Sequence, residues 1–137
     1  MILNDSPNNT EIEKIVLGYA KYDKRIKYSK NEKNIGISLS RNKLLQMARG
    51  EYLAIFDHDD ISVLTRLEQE VKYLDKNPEI GVVSGWLQYF GKDNRVKKNP
   101  ENDFDIKVLL TQSCYVAHTA AMIRKSVLVD NNIKSKS

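Results

Sequence analysis

The sequence predicts an α/β fold in which helices cover both faces of an open, mostly parallel sheet. Strand-like and helix-like segments alternate along the chain, which is typical of sheets built from strand–helix–strand units. Residues 52–56 are continuously apolar, as expected for a strand that is covered on both faces of a parallel sheet.

The elements follow from local patterns. Capping-box pairs, Thr10 with Glu13 and Thr65 with Glu68, open two helices, and apolar positions 12, 15, 16 and 19 form one face of the first. Gly50 stands where a left-handed C-terminal cap would end the second helix. In order, the predicted elements are a strand ending at residue 3, a helix opening at residue 10, a strand over 25–29, a helix over 37–48, a strand over 52–56, a helix over 65–77, a strand over 81–90, a short helix over 104–110, a strand over 119–123 and a helical turn over 125–129.

The composition is that of one soluble domain. The 137 residues are 41% hydrophobic and 29% charged, a balance typical of globular chains. The net charge of +4 is spread along the chain, whereas nucleic-acid binders concentrate basic residues on one element, so no nucleic-acid partner is expected. The single cysteine, Cys114, permits no internal disulfide.

No apolar run is long enough to span a bilayer. We therefore expect a cytoplasmic protein, with peripheral association at the inner face of the membrane left open. We expect one partial domain over residues 1–130 and a frayed polar tail over 131–137, and the sequence leaves the oligomeric state open.

The acidic run Asp57-His58-Asp59-Asp60 directly follows the apolar strand. If the backbone stays extended, Asp57 and Asp59 point to one side, and His58 and Asp60 to the other. Two carboxylates ~5 Å apart repel by about 3 kcal/mol at an effective dielectric constant of about 20, and a helix N-terminus offsets only ~0.3–1 kcal/mol of this. A shared proton or a cation must therefore neutralise the pair.

Oxygen ligands with room for phosphate oxygens favour Mg²⁺ or Mn²⁺, and such an ion would bridge the two phosphates of a nucleotide diphosphate. One alternative is a solvated loop whose aspartates cap the next helix, but the carboxyl end of a buried strand is where α/β sheets bind ligands. An EF-hand is excluded, because the glycine and later acidic ligands of that loop are missing. An aspartate-nucleophile phosphatase needs small or hydroxyl residues where this chain has Asp60-Ile61.

Several segments resemble the motifs of family 2 glycosyltransferases. Asn4-Asp5-Ser6 resembles D-D-[GA]-S, and residues 31–36 (NEKNIG) with 40–42 (SRN) resemble N-x-G-x-x-x-A-R-N. Residues 50–60 (GEYLAIFDHDD) resemble G-E-Y-[IL]-x-[FL]-L-D-x-D-D. Residues from Leu67 onward resemble L-x-x-x-[VL]-x-x-L-x-x-[NH]-P. The resemblance implies an incomplete GT-A-like (Rossmann-like) fold. It also implies a hexosyl- or N-acetylhexosaminyl-transferase that uses a nucleotide-diphosphate sugar, usually a UDP-sugar, with Mn²⁺ or Mg²⁺.

The resemblance implies roles for the matching acidic residues. Asp59 would be the direct metal ligand, and Asp57 would lie near the ribose and the metal. Asp60 would organise the loop, with a secondary role in binding. Asp5 would contact the base; the alternative from the residues alone is a turn or cap residue. Asn4 stands where the family has its first aspartate.

Two further residues receive roles from the resemblance. Arg41 would hold the base or the phosphates, where the residues alone also allow a solvated helix position. His118 begins a segment that resembles the acceptor side of the pocket, and its alternative is a satisfied histidine on an edge strand. The acceptor would be a hydroxyl of a glycan, a lipid-linked saccharide or a protein, in glycan or surface polysaccharide synthesis.

Two parts of the family pattern have no match. One is the strand that precedes Ile2 in the family, which lies centrally, so we expect a gap or unpaired edges in the sheet. The other is an acidic segment that would follow the C-terminus and carry the general base. No residue of this chain is therefore assigned as catalytic base, and we expect the chain alone to be inactive. The alternative from another class is a non-catalytic remnant that binds a nucleotide or a partner protein.

Overall fold

The computed structural model describes residues 1–102, 105–106 and 116–133. Most of the helix predicted over 104–110, Cys114 and the end of the polar tail lie outside these residues. The described chain forms two compact units, residues 1–49 with 132–133, and residues 50–131.

Helices and strands lie close to their predicted positions. The α-helices in the described ranges are α1 (Thr10–Ala20), α2 (Ile37–Met47), α3 (Arg66–Lys76) and α4 (Lys125–Asp130). The strands in the same ranges are β1 (Ile2–Asn4), β2 (Tyr28–Lys30), β3 (Tyr52–Ala54), β4 (Val82–Ser84), β5 (Leu87–Gln88), β6 (Val96–Lys97) and β7 (Ala121–Arg124). The single strand predicted over 81–90 is broken into β4 and β5, and the strand predicted from residue 119 begins as a 3-10 turn, His118–Ala120.

In the first unit, β1 and β2 pair in parallel, with Leu3 opposite Ser29. The start of α1 differs from the prediction, because Asn9 and not Thr10 caps it: the Asn9 side chain accepts a hydrogen bond from the Glu11 amide at 3.1 Å. Of the predicted apolar face of α1, Val16 is buried.

The predicted C-terminal cap at Gly50 is wrong. Helix α2 ends at Met47, and the next residue, Ala48, is extended, with φ of −67° and ψ of 133°. The helix therefore does not end in a left-handed residue. The left-handed glycine of this segment is Gly36, at the other end of α2, with φ of 83°, a conformation that glycine adopts without the strain of a Cβ atom.

In the second unit, β7 lies between β3 and β4 and runs antiparallel to both. Strands β3 and β4 therefore share one direction and are joined through α3, as in a strand–helix–strand crossover. Helix α3 packs on β4 and β7, and α4 packs on β7. The buried apolar side chains of this unit lie in β7 or close to it: Leu74, Ala117, Ala120, Ala121 and Met122.

The α/β class is confirmed, but among the described strands parallel pairing is confined to β1 and β2. The prediction of a mostly parallel sheet fails because β7 is inserted antiparallel between β3 and β4. Strand β3 pairs with β7 alone among the described strands, so its predicted burial on both faces is also wrong: Ala54 is exposed and Phe56 is 55% exposed. Strand β1 likewise has one described neighbour, which agrees with the expected unpaired edges.

Candidate functional site

The acidic run forms a tight turn directly after β3. The last ladder hydrogen bond of the strand joins the Ile55 amide to the Ala121 carbonyl at 3.0 Å, and the Asp60 amide then donates to the Asp57 carbonyl at 3.3 Å. The backbone thus reverses at His58 and Asp59 instead of staying extended. The prediction that His58 points away from Asp59 is wrong, since its Nδ1 lies 4.0 Å from the Asp59 Oδ1. A turn does not have the side-chain alternation of a strand.

The carboxylates of this turn face water to different degrees. The Asp59 side chain is 76% exposed, and Asp60 is exposed, whereas Asp57 is half-buried. Within the described ranges, no three histidine, cysteine, aspartate or glutamate side chains are grouped closely enough to enclose a metal ion. The exposed Asp59 carboxylate suits a Mg²⁺-like or Mn²⁺-like ion that takes most of its ligands from phosphate and water, rather than a fully enclosed structural metal.

Asp5 anchors the loop between β2 and α2. Its Oδ1 accepts hydrogen bonds from the Asn31 side chain at 2.8 Å and from the Ile35 amide at 2.9 Å. Its Oδ2 accepts from the Gly36 amide at 2.9 Å. These donors, the Ile35 amide first, lower the pKa of Asp5 below its ordinary value. The Ser40 hydroxyl also lowers this pKa through a hydrogen bond, so the Asp5 carboxylate is held by donors from both the loop and helix α2.

Asn31 is a site residue whose role sequence reasoning missed. It is 3% exposed, and its amide also donates to the Ser40 hydroxyl at 3.2 Å, while its carbonyl oxygen accepts from the Lys43 ammonium at 2.7 Å. Asn31 therefore ties Asp5 to helix α2. Asn31 belongs to one of the segments that resemble the family motifs. Nothing within residues 31–36, however, indicates that its partner lies 26 residues earlier in the chain.

The other predicted residues lie on helices. Arg41 is half-buried on α2, next to Ser40, which Asn31 contacts. His118 is exposed and opens the 3-10 turn before β7. Asp5 and Arg41 belong to the first unit, and the acidic turn and His118 belong to the second.

The sequence comparison decides the family. Residues 1–130 match the model of glycosyl transferase family 2. The chain belongs to glycosyl transferase family 2.

Three relatives of the family 2 chain are named as glycosyltransferases. This chain is 36% identical over 132 residues to an uncharacterized glycosyltransferase of Methanocaldococcus jannaschii, and the match covers 93% of this chain and 46% of the relative. It is 30% identical over 100 residues to a bifunctional glycosyltransferase of Dictyostelium discoideum, covering 71% and 13%. A Bacillus subtilis glycosyltransferase, provisionally named for teichuronic acid biosynthesis, is 34% identical over 74 residues, covering 54% and 29%. The chain thus spans less than half the length of each.

As a family 2 chain it has an α/β fold consistent with an incomplete GT-A domain. Within the described part of the chain, no helix is long and apolar enough to cross a membrane.

A depression of about 800 Å³ lies in the first unit of the family 2 chain, between residues 6–11 and 32–34. Ser6 and Asn34 line it, whereas Asp5, whose carboxylate accepts hydrogen bonds from residues 31–36, does not. Its volume is in the range of small-molecule sites.

We expect Asp5→Asn to destabilise the family 2 chain at neutral pH and to matter less in acid. Because the folded-state pKa of Asp5 is lowered, its contribution to stability is fully present above the unfolded-state value of 3.8 and is lost as the pH falls through the folded-state pKa. Thermal melting of both proteins at about pH 7 and about pH 3 measures this. Glu32→Gln, at an exposed carboxylate of the same loop, is the control, and a melting difference for Asp5→Asn that is equal at both pH values would contradict the role.

Proposed function

We propose that this chain is the donor-binding part of a glycosyltransferase that binds a nucleotide-diphosphate sugar, a UDP-sugar, through Asp57 and Asp59 with Mn²⁺ or Mg²⁺. The observation that carries the proposal is the acidic turn: three aspartates within four positions, with the Asp59 side chain 76% exposed, at the carboxyl end of a strand. Ligands of α/β sheets bind at that end. Membership of glycosyl transferase family 2 makes a sugar nucleotide the expected ligand.

The metal would be held by Asp59, with Asp57 as its partner on the ribose side. Two like charges this close in sequence gain from a divalent cation, because the cation removes their mutual repulsion. When bound, such an ion would supply a Lewis acid that stabilises negative charge on the departing diphosphate. Asp60 would organise the loop, and its amide already closes the turn on the Asp57 carbonyl.

Asp5 and Arg41 would bind the nucleotide itself. Asp5 would lie beside the base, where its carboxylate holds the loop over residues 31–36 through Asn31, Ile35 and Gly36. The Arg41 guanidinium carries a permanent positive charge and can donate two parallel hydrogen bonds to phosphate oxygens.

The acceptor is proposed to be a hydroxyl of a glycan, lipid-linked saccharide or protein, with His118 on the acceptor side of the site. His118 is exposed, which leaves its imidazole accessible to such a ligand. A role in surface polysaccharide synthesis is supported by the name of the Bacillus subtilis relative. No residue of this chain is proposed as general base. For the whole protein, we propose transfer of a hexosyl or N-acetylhexosaminyl group at the cytoplasmic face of the membrane.

Isothermal titration with UDP, with and without Mn²⁺, tests the proposal. We expect binding that requires the metal and is at least about tenfold tighter for UDP than for ADP, which corresponds to ~1.4 kcal/mol. ADP carries the same diphosphate and is the matched control for recognition of the base. A folded chain that binds neither nucleotide would favour the alternative of a non-catalytic remnant that binds a partner protein.

A further inference from the structure

Arg66, the first residue of α3, has a buried guanidinium that joins two segments distant in sequence. Its side chain is 10% exposed. The Nη2 atom donates to the Ile55 carbonyl at 3.1 Å and to the Ala121 carbonyl at 3.2 Å. The Nη1 atom donates to the Thr119 carbonyl at 3.0 Å. One side chain thus links the end of β3 to the turn that leads into β7.

The Ile55 carbonyl needs this donor. In a regular antiparallel ladder the Ala121 amide would donate to it, because the Ile55 amide already donates to the Ala121 carbonyl. Instead, the Ala121 amide closes the 3-10 turn by donating to the His118 carbonyl. A partly buried carbonyl without a donor is unfavourable, so Arg66 supplies the hydrogen bond that the turn has removed from the ladder.

The same contacts lie beside the candidate donor and acceptor residues. Ile55 precedes Asp57 by two residues, and Thr119 directly follows His118. The guanidinium therefore holds the Ile55 carbonyl, just before the acidic turn, and the Thr119 carbonyl, just after His118. Because a guanidinium is planar and rigid, it sets the distance between these two carbonyls.

Glu70 holds the guanidinium in place. It lies one turn further along α3, its side chain is 8% exposed, and its Oε1 accepts from the Arg66 Nε at 3.1 Å. Burial raises the pKa of Glu70, and the hydrogen bond from Arg66 opposes that rise. The second carboxylate oxygen, Oε2, has no hydrogen-bond partner within the part of the chain that the structure describes. The Arg66–Glu70 pair is thus a costly buried arrangement, which favours a role beyond filling space.

We propose that Arg66 is a positioning residue of the donor site: it fixes the Asp57–Asp60 turn relative to the His118 turn in the geometry that binds metal and diphosphate. The proposal rests on the proposed function for its ligand but on Arg66 contacts for its mechanism. Groups that orient metal ligands from behind typically change metal affinity by about 10- to 100-fold when they are removed.

Arg124 is a matched control in the same unit. Its side chain is 16% exposed, and its guanidinium also donates to two carbonyls, that of Leu74 at 2.8 Å and that of Ile80 at 3.4 Å. It pairs with Tyr52, at the start of β3, whereas the acidic turn follows the end of that strand. Loss of the Arg124 contacts should therefore cost stability but should leave the acidic turn in place.

The experiment compares the full-length chain with Arg66→Lys and Arg124→Lys by two measurements. The first is calorimetric titration of UDP with Mn²⁺, at a temperature below the melting point of all three proteins. The second is the ¹⁵N order parameters of amides 57–60 and 118–120 without ligand. A lysine ammonium keeps the charge but cannot reach carbonyls on both segments in a fixed plane. We expect Arg66→Lys to weaken UDP binding about 10- to 100-fold and to lower the order parameters of both turns.

Three results would overturn the proposal: unchanged order parameters in Arg66→Lys, unchanged UDP affinity in Arg66→Lys, or an equal loss of affinity in Arg124→Lys. If the unmodified chain binds no UDP, the proposed function fails, and the order parameters still test the positioning role separately. If Arg66→Lys does not fold, Glu70→Ala replaces it, because it frees the Arg66 Nε and should lower the order of both turns in the same direction. Unchanged order in that variant would equally overturn the proposal.

Discussion

Replacing Asp59 with alanine is expected to weaken Mn²⁺-dependent binding of UDP by about 100-fold, or ~2.8 kcal/mol, because it removes a direct ligand of the metal. Stability should hardly change, since the Asp59 side chain is 76% exposed and substitutions at such positions are usually within about 0.5 kcal/mol. Calorimetric titration gives the affinity, and thermal melting shows that the variant is folded.

Glu79→Ala is the control for this substitution. It removes one carboxylate from an exposed loop position of the same unit, so it changes the net charge of the chain by the same amount. We expect it to bind UDP and Mn²⁺ as the unmodified chain does. Equal weakening in both variants would indicate a general electrostatic effect and would contradict a direct role for Asp59.

Replacing Leu74 with alanine is expected to have the largest effect on stability. Leu74 lies on α3, is 0% exposed, and is the only large side chain among the described residues that is fully buried. Truncating such a leucine removes buried methyl groups and leaves a cavity, which costs about 2–5 kcal/mol. Because small domains are stable by only about 5–15 kcal/mol, the loss should lower the midpoint of urea unfolding substantially.

Leu67→Ala, on the same helix, is the matched control, because Leu67 is 54% exposed and its truncation should cost much less. Fluorescence of Trp86, the single tryptophan of the chain, reports unfolding of the second unit. Equal shifts of the urea midpoint in the two variants would mean that the core does not lie where α3 packs on β4 and β7.

Local patterns predicted helix positions well, because periodicity and capping depend on neighbouring residues. The predicted starts of α1 at residue 10 and α2 at residue 37 agree with the structure. The cap of α1 was assigned to the wrong residue, since Asn9 and Thr10 are adjacent and both can cap a helix. Which one does so depends on the angle at which the chain enters from residues 4–9, and the sequence does not specify that angle.

Burial was harder to predict, because it depends on which strands meet. The apolar run over 52–56 indicated a strand inside a parallel sheet, but β3 pairs with β7 alone in the described part of the chain, and Phe56 is 55% exposed. Pairing between Ala54 and Met122 joins residues far apart in sequence. No pattern within either segment specifies that the later strand enters antiparallel.

The candidate site residues come from sequence motifs and stay a prediction, and their geometry could not be derived from the sequence. The position of the acidic run after a strand is a local feature, and it was predicted correctly. The reversal at His58 and Asp59 was not, because nothing in an apolar strand pattern indicates where the backbone turns. The contacts of Asp5 with residues 31–36, and those of Arg66 with Thr119, cross 26 to 53 positions, so they could be found only in the folded chain.

The central claim is that the turn after β3 holds a divalent ion for the diphosphate of a sugar nucleotide. Crystals of the chain grown or soaked with UDP and MnCl₂, and measured for the anomalous signal of manganese, test it most directly. We predict one manganese peak about 2.1 Å from an Asp59 carboxylate oxygen, at the distance typical of small divalent ions, with UDP phosphate oxygens as further ligands. Bound UDP with manganese away from Asp59, or with no manganese at all, would contradict the claim.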